Sequence, residues 1–189
     1  MFQIGTCRAK CVPTTDATLI KETRMTSKWM TTALVAAALV GAAASASAQT
    51  YTMSATLTGA GETPAPGINT GAFGSATIVV DLSARTVAYT VSVYNLPSGV
   101  IASHIHVGAV GTAGPVVVSL SPPATASNHF GYSGTVKGSD FVINTNTSNL
   151  GIRSSDDMFQ AILGGNAYVN VHSQANPGGE IRGQLVLKQ

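Results

Sequence analysis

The chain has 189 residues, of which ten are lysine or arginine and eight are aspartate or glutamate, so its formal net charge at neutral pH is +2. Charged residues make up only 10% of the sequence, which leaves no basic surface of the kind that binds nucleic acid. From residue 49 onward the chain contains five basic residues, six acidic residues and no cysteine. Disulfides and thiolate metal sites are therefore excluded there, and we expect no nucleic-acid partner.

The first 48 residues differ in character from the remainder. Met25 opens a segment with one lysine, an apolar run of alanine, leucine and valine, and the sequence Ala46-Ser47-Ala48. These features are typical of a cleavable signal peptide, and the run is shorter than the roughly 20 residues of a membrane anchor. We predict a signal peptide over 25–48, with an uncleaved anchor as the alternative. Residues 1–24 precede this signal, and we expect them to be a mis-assigned N-terminal extension.

A signal peptide predicts export, and we expect a secreted or periplasmic protein with no membrane span after signal cleavage. The remaining residues, 49–189, have the size of one domain that buries its own core. We expect its partner to be an unidentified molecule outside the cell or in the cell envelope.

Residues 49–189 consist of short β-branched segments separated by glycine, proline, serine and asparagine. This pattern is typical of a sandwich or barrel, and we predict an all-β domain, a Greek-key β-sandwich of about eight antiparallel strands. Alternation is clearest in residues 86–94, where valine and tyrosine occupy every second position. The predicted strands are Thr52–Thr58, Gly74–Asp81, Thr86–Tyr94, Ser103–Val107, Pro115–Leu120, Gly131–Lys137, Ala167–His172 and Ile181–Leu187.

One segment near the C-terminal end has helical character. It begins with Ser154, carries two aspartates in its first turn and ends in two glycines, which are helix start and stop signals. Its apolar residues recur at helical spacing, so we predict one short amphipathic helix near residues 155–163, packed on the sheet. The stretch 144–149, rich in asparagine and threonine, is predicted to be an exposed connection.

The sharpest local feature is the pair His104 and His106. In a strand both imidazoles project to one face while Ile105 projects to the other. His172 ends a second alternating strand, on the face that it shares with Tyr168. If the two strands are neighbours, three neutral imidazoles form a site for copper or, as the less favoured metal, zinc. The alternative is three partly exposed histidines that hydrogen-bond to neighbouring loops.

Glu180 and Arg182 follow a Pro-Gly-Gly turn and are two residues apart, so they share a strand face. They can form an ion pair with each other or bind loop carbonyls, and we interpret them as supporting residues of the candidate metal site. Glu62 can similarly anchor the loop after the first strand. The sequence contains no nucleophile elbow, phosphate-binding glycine loop or His-Glu-x-x-His helix, and we predict no catalytic residue.

Five motifs in order resemble the CHRD domain family, named from the animal developmental protein chordin. The resemblance covers about Thr52 to Leu187 and implies a secreted binding or structural module, since the family has no firmly assigned catalytic activity. The motifs are Leu57-Thr58-Gly59 with Glu62-Thr63-Pro64, Ser103-His104-Ile105-His106-Val107-Gly108, Gly111-x-x-Gly114-Pro115-Val116, Tyr168-Val169-Asn170-Val171-His172, and Pro177-Gly178-Gly179-Glu180-Ile181-Arg182-Gly183.

A more distant likeness concerns the His-x-His-x-Gly run at 104–108 and the Val-x-Val-His strand at 169–172. Together they are similar to the copper half of Cu,Zn superoxide dismutase, a Greek-key β-sandwich. The likeness implies that the three histidines are copper ligands and that Arg182 guides a substrate, although its spacing matches poorly and the bridging histidine has no counterpart. Two functions stay open: a non-catalytic binding or structural module, with or without a metal, and a mononuclear copper protein with carrier or superoxide-dismutase-like redox activity.

Overall fold

The computed structural model describes residues 49–189. The predicted signal peptide, 25–48, and the predicted extension, 1–24, lie outside the described residues. In the described part of the chain, no helix is long and apolar enough to cross a membrane.

The described residues form nine strands, two α-helices and two short 3-10 turns. In chain order they are β1 (Thr50–Thr58), a 3-10 turn (Gly59–Gly61), β2 (Phe73–Asp81), β3 (Thr86–Leu96), β4 (Val100–Val107), β5 (Val116–Leu120), β6 (Asn128–Lys137), a 3-10 turn (Gly138–Asp140), α1 (Thr145–Asn149), α2 (Ser155–Leu163), β7 (Ala167–Ser173), β8 (Ile181–Gln184) and β9 (Val186–Leu187). The all-β prediction is confirmed, and helix α2 lies where the sequence predicts it. The last predicted strand is divided at Leu185 into β8, which lies between β7 and the end of β1, and β9, which pairs with β1 alone.

The stretch rich in asparagine and threonine contains the one-turn helix α1, where the sequence predicts an exposed connection. The Asn144 side chain accepts hydrogen bonds from the amides of Asn146 and Thr147. The Thr147 hydroxyl in turn accepts from the Asn144 amide at 2.9 Å, and Thr147 is fully buried. Side chains that favour turns are also those that cap helices, so the same composition builds a capping box here.

All strand pairs are antiparallel, and hydrogen bonds join the strands in the order β5-β4-β7-β8-β1-β2-β3-β6, with β9 added to β1. Strands β1, β2 and β3 are neighbours, whereas the connections from β3 to β4, β5 to β6 and β6 to β7 cross between distant strands. The last strand of this path contacts the second strand in the interior: Tyr132 on β6 donates to Ser103 on β4 at 2.7 Å. The strands therefore wrap around a single core.

The core is built by strand alternation, and helix α2 adds its apolar face to it. Every second residue of β2 and β3 is buried, which confirms the period-two prediction for residues 86–94. Helix α2 contributes Met158, Phe159 and Ile162, and the Phe159 ring packs edge-on against Phe141 with centroids 5.0 Å apart. The helix thus buries the apolar face that its sequence spacing predicts.

Candidate metal centre

Strands β4 and β7 are hydrogen-bonded neighbours, which decides where the three histidines lie. Ile105 on β4 and both Val169 and Val171 on β7 are fully buried in the core. Because side chains alternate along a strand, His104, His106 and His172 all project from the opposite face. We refer to these three residues as the three-histidine cluster. The structure thus brings together the three predicted ligands.

The spacing of the imidazoles suits a single metal ion. Each histidine offers one ring nitrogen, and these three atoms all lie within 4.8 Å of one another. The closest pair is His104 Nδ1 and His172 Nε2, at 3.1 Å. An ion about 2.0–2.1 Å from three nitrogens, at angles between tetrahedral and trigonal, holds them roughly 3.3–3.6 Å apart. The closest pair is slightly nearer than this and no pair is more than 4.8 Å apart, so rotation of the rings would allow all three to coordinate.

Hydrogen bonds fix the tautomers of the cluster. His106 Nδ1 lies 2.9 Å from the Gly114 carbonyl oxygen, and His172 Nδ1 lies 2.9 Å from that of Pro177. A carbonyl oxygen only accepts, so both Nδ1 atoms carry the proton and both Nε2 atoms keep a lone pair. His104 Nδ1 then donates to His172 Nε2. Coordination of a metal by His104 Nδ1 requires the proton on that nitrogen to move to Nε2 of the same ring. His106 Nε2 is buried without a hydrogen-bond partner, a state that a bound metal would relieve.

Burial favours the uncharged imidazoles that metals require. It lowers the pKa of His104 to about 4, assisted by repulsion from His172 and His106. Burial also lowers the pKa of His106, against the opposing hydrogen bond to the Gly114 carbonyl. At neutral pH both rings are therefore neutral, so metal binding does not have to displace a proton from a charged imidazolium.

Tyr168 on β7 lies between His106 and Arg182. Its ring stacks on the imidazole with centroids 4.9 Å apart and an interplanar angle of 7°, and the guanidinium carbon lies 3.4 Å from the ring centroid. Because β7 lies between β4 and β8, the imidazole and the guanidinium occupy opposite faces of the ring. Arg182 is 3% exposed and donates to the Thr63 hydroxyl at 3.1 Å and the Thr112 carbonyl at 2.8 Å.

The predicted supporting residues Glu180 and Arg182 do not form an ion pair with each other. Glu180 is fully buried and accepts hydrogen bonds from the hydroxyls of Thr70, at 2.7 Å, and Ser173. Arg182 binds loop carbonyls, which is the other arrangement that the sequence allows. Both residues hold loops against β7 and β8, and their role as supporting residues of a metal site stays a prediction.

Glu62 anchors its loop beside the cluster. Only 7% of Glu62 is exposed, and its Oε1 accepts a hydrogen bond from Asn170 Nδ2 at 2.8 Å. Burial raises the pKa of Glu62 to about 7, against the opposing effects of Arg182 and of the Asn170 hydrogen bond. Asn170 pairs with His104 in the β4–β7 register, and its Oδ1 is buried without a partner. Asn170 is therefore the strand neighbour of the candidate ligand His104, and the buried Glu62 carboxyl is joined to it by a hydrogen bond.

The fourth histidine, His129, lies outside the cluster. It is the second residue of β6, the strand at the far end of the strand path from β5. Its Nδ1 accepts from the Asn95 amide at 3.3 Å, and its ring lies 5.8 Å from that of Tyr94. His129 thus provides a control residue of the same type in the same domain.

Sequence reasoning did not single out two further residues at the cluster, Tyr168 and Gly114. Tyr168 shares a strand face with His172, so strand periodicity alone could have indicated it. The contact of Gly114 with His106 depends on how the loop between β4 and β5 folds back, and no local pattern signals that contact.

The structure thus defines a class of protein, an all-β domain with a three-histidine cluster on a polar sheet face. A family model described as the CHRD domain matches residues 53–185. The chain therefore belongs to the CHRD domain family, as its five motifs indicate. A search of curated proteins and a search of solved structures found no match to the chain, and the likeness to Cu,Zn superoxide dismutase stays a prediction.

Proposed function

We propose that this protein is a secreted or periplasmic CHRD-domain module that binds one copper ion through His104, His106 and His172. The observation that carries the proposal is the convergence of three imidazole nitrogens within 4.8 Å, one of them buried without a partner. A site of this kind fits a binding or structural role, and the nearby Glu62 carboxyl already accepts a hydrogen bond from Asn170.

The donor set favours copper over zinc. Among common divalent ions copper binds nitrogen donors most tightly, with zinc weaker. No thiol is present in residues 49–189, and the nearby carboxyl groups of Glu62 and Glu180 already accept hydrogen bonds from protein groups. Zinc is therefore the second choice of metal.

A copper carrier or a superoxide-dismutase-like redox protein is the second candidate function. His104 and His172 are partly exposed, and three protein ligands leave coordination positions that a small molecule can reach. Bound copper would supply one-electron redox chemistry. Arg182, however, is almost completely buried and its guanidinium is engaged with loop carbonyls. These contacts favour a structural role for Arg182 over the guidance of a substrate.

Export and metal binding can be tested with one preparation. The full chain is expressed with its leader. We expect to recover it outside the cytoplasm, with the intact mass of a chain that begins at Gln49. Copper and zinc are then titrated into the chelator-treated protein, with elemental analysis and thermal melting. An ion present at a hundred times its Kd stabilises the fold by about 2.7 kcal/mol, which for a domain of this size is a rise in melting temperature of roughly 5–10 °C.

We expect one copper ion per chain and a raised melting temperature in the wild type and in His129→Ala. Both effects should be lost in His104→Ala and in the His104→Ala/His172→Ala double variant. Binding that persists in the double variant, or no stoichiometric binding in the wild type, would contradict the proposed site. Recovery of an uncleaved chain in the cytoplasm would contradict the proposed export.

A further inference from the structure

We propose that Tyr168 is a positioning residue of the three-histidine cluster, which sets both the ring plane and the tautomer of His106. The inference rests on the proposed metal-binding function, but it concerns a residue that neither the family match nor the three-histidine pattern assigns. Tyr168 acts on His106 in two ways: its ring contacts the imidazole directly, and its hydroxyl acts through Gly114.

The ring of Tyr168 fixes the plane of the His106 imidazole. The two rings are nearly parallel, 7° apart, with centroids separated by 4.9 Å. Arg182 lies against the other face of the tyrosine ring at 3.4 Å and is itself held by the Thr63 hydroxyl and the Thr112 carbonyl. The tyrosine ring is therefore enclosed on both faces, and a rotation of the imidazole out of its plane would collide with it.

The hydroxyl of Tyr168 acts on His106 through Gly114. Tyr168 Oη accepts a hydrogen bond from the Gly114 amide at 3.0 Å, and the Gly114 carbonyl accepts from His106 Nδ1 at 2.9 Å. A β-carbon at position 114 would lie 1.6 Å from the Val107 carbonyl oxygen, so the loop approaches β4 this closely only with glycine. The tyrosine hydroxyl thus holds in place the carbonyl that keeps the His106 proton on Nδ1.

The consequence of this arrangement is that Nε2 of His106 carries the lone pair and faces the cluster. Groups that hydrogen-bond to the second nitrogen of a ligating histidine orient the ring, and their loss typically weakens metal binding 10–100-fold. The Tyr168 hydroxyl acts less directly, since it orients Gly114, whose carbonyl accepts the hydrogen bond from the imidazole. We therefore expect removal of the hydroxyl to weaken copper binding by about tenfold, at the lower end of that range.

The test compares Tyr168→Phe, which keeps the ring but loses the hydroxyl, with Tyr168→Leu, which loses both. Tyr89→Phe is the matched control, because the Tyr89 hydroxyl also accepts from a backbone amide, that of Ser121, at 3.1 Å. Two quantities are measured: the copper Kd of each protein, and the nitrogen chemical shifts of His106 in metal-free protein by NMR. The shifts report which ring nitrogen carries the proton, which a general loss of stability would not change.

We expect Tyr168→Phe to raise the Kd about tenfold and Tyr168→Leu to raise it further, while Tyr89→Phe binds like the wild type. In both Tyr168 variants the His106 shifts should move from a single Nδ1–H form toward a mixture of tautomers. Wild-type shifts together with a wild-type Kd in Tyr168→Phe would overturn the proposal. If the wild type itself binds no copper or zinc, the proposed function fails, and the metal-free shifts still decide whether Tyr168 positions His106.

Discussion

Replacing Glu62 by glutamine tests whether an uncharged carboxyl lies beside the three-histidine cluster. In the wild type, burial raises the pKa of Glu62 to about 7, despite the nearby Arg182 and the hydrogen bond from Asn170. The folded protein therefore keeps a proton that the unfolded chain releases at lower pH. Glutamine has the same shape and no charge. Its carbonyl oxygen can accept from Asn170 Nδ2, and its amide can donate to the buried Asn170 Oδ1 that lacks a partner.

The stability difference between Glu62→Gln and the wild type should depend on pH in a defined direction. From pH 4.5 to pH 7 the folded wild type binds this proton and the unfolded chain does not, so the contribution of Glu62 to the free energy of unfolding falls as pH rises. The difference between the pKa of Glu62 in the folded protein and in the unfolded chain corresponds to about 3 kcal/mol in the free energy of unfolding. Solvent screening at the loop reduces the expected change to about 1–3 kcal/mol. The lowered pKa of His104 acts in the opposite direction and destabilises the fold as pH falls from 6.5 toward 4, but it is common to both proteins and cancels in the difference.

The assay is urea denaturation of both proteins in the presence of a chelator, at several pH values from 4.5 to 8.5. We expect Glu62→Gln to gain stability relative to the wild type as pH rises through 5 to 7, and the difference to become constant above about pH 8. An NMR titration of the Glu62 carboxyl carbon should give the same midpoint. A difference that is constant over the whole range, or one in which the wild type gains with rising pH, would refute the argument.

Two further substitutions test local features of the structure. Gly114→Ala places a β-carbon 1.6 Å from the Val107 carbonyl oxygen, so the loop must move. The carbonyl that orients His106 moves with it. We therefore expect chemical denaturation to show reduced stability and titration to show weaker copper binding. An unchanged Kd would show that this carbonyl does not control the ligand. Ser154→Ala removes the hydroxyl that accepts from the Asp157 amide at 3.1 Å. It should lower the free energy of unfolding by about 1 kcal/mol without changing copper binding. A variant as stable as the wild type would exclude a capping contribution.

The strands were predictable because the pattern that encodes them is local. Period-two alternation within 86–94 and glycine or proline at the segment ends mark a strand within a window of a few residues. Helix α2 was predictable for the same reason, since its capping serine, its acidic first turn and its apolar spacing are all contiguous. Where local signals are ambiguous the prediction was incomplete: the stretch 144–149 is a mostly exposed connection, but it also contains a one-turn helix, because residues that favour turns also cap a short helix.

The candidate site was predictable only in part. That His104 and His106 share a face follows from strand periodicity, and so does the position of His172 opposite Val169 and Val171. The histidines of β4 and β7 lie on the same sheet face only because these two strands pair. This pairing joins residues far apart in the sequence, and it is decided by how all nine strands close around one core. The contact of Gly114 with His106 depends on the same packing.

The amino-acid sequence by itself determined that residues 49–189 form a β-rich domain of the CHRD family and that three histidines lie on polar strand faces. The tertiary structure alone decided that their nitrogens converge within 4.8 Å, that Arg182 binds loop carbonyls instead of Glu180, and that Tyr168 stacks on the His106 imidazole. The physical reason is that strand pairing between distant segments is a property of the whole fold, whereas alternation is a property of each segment.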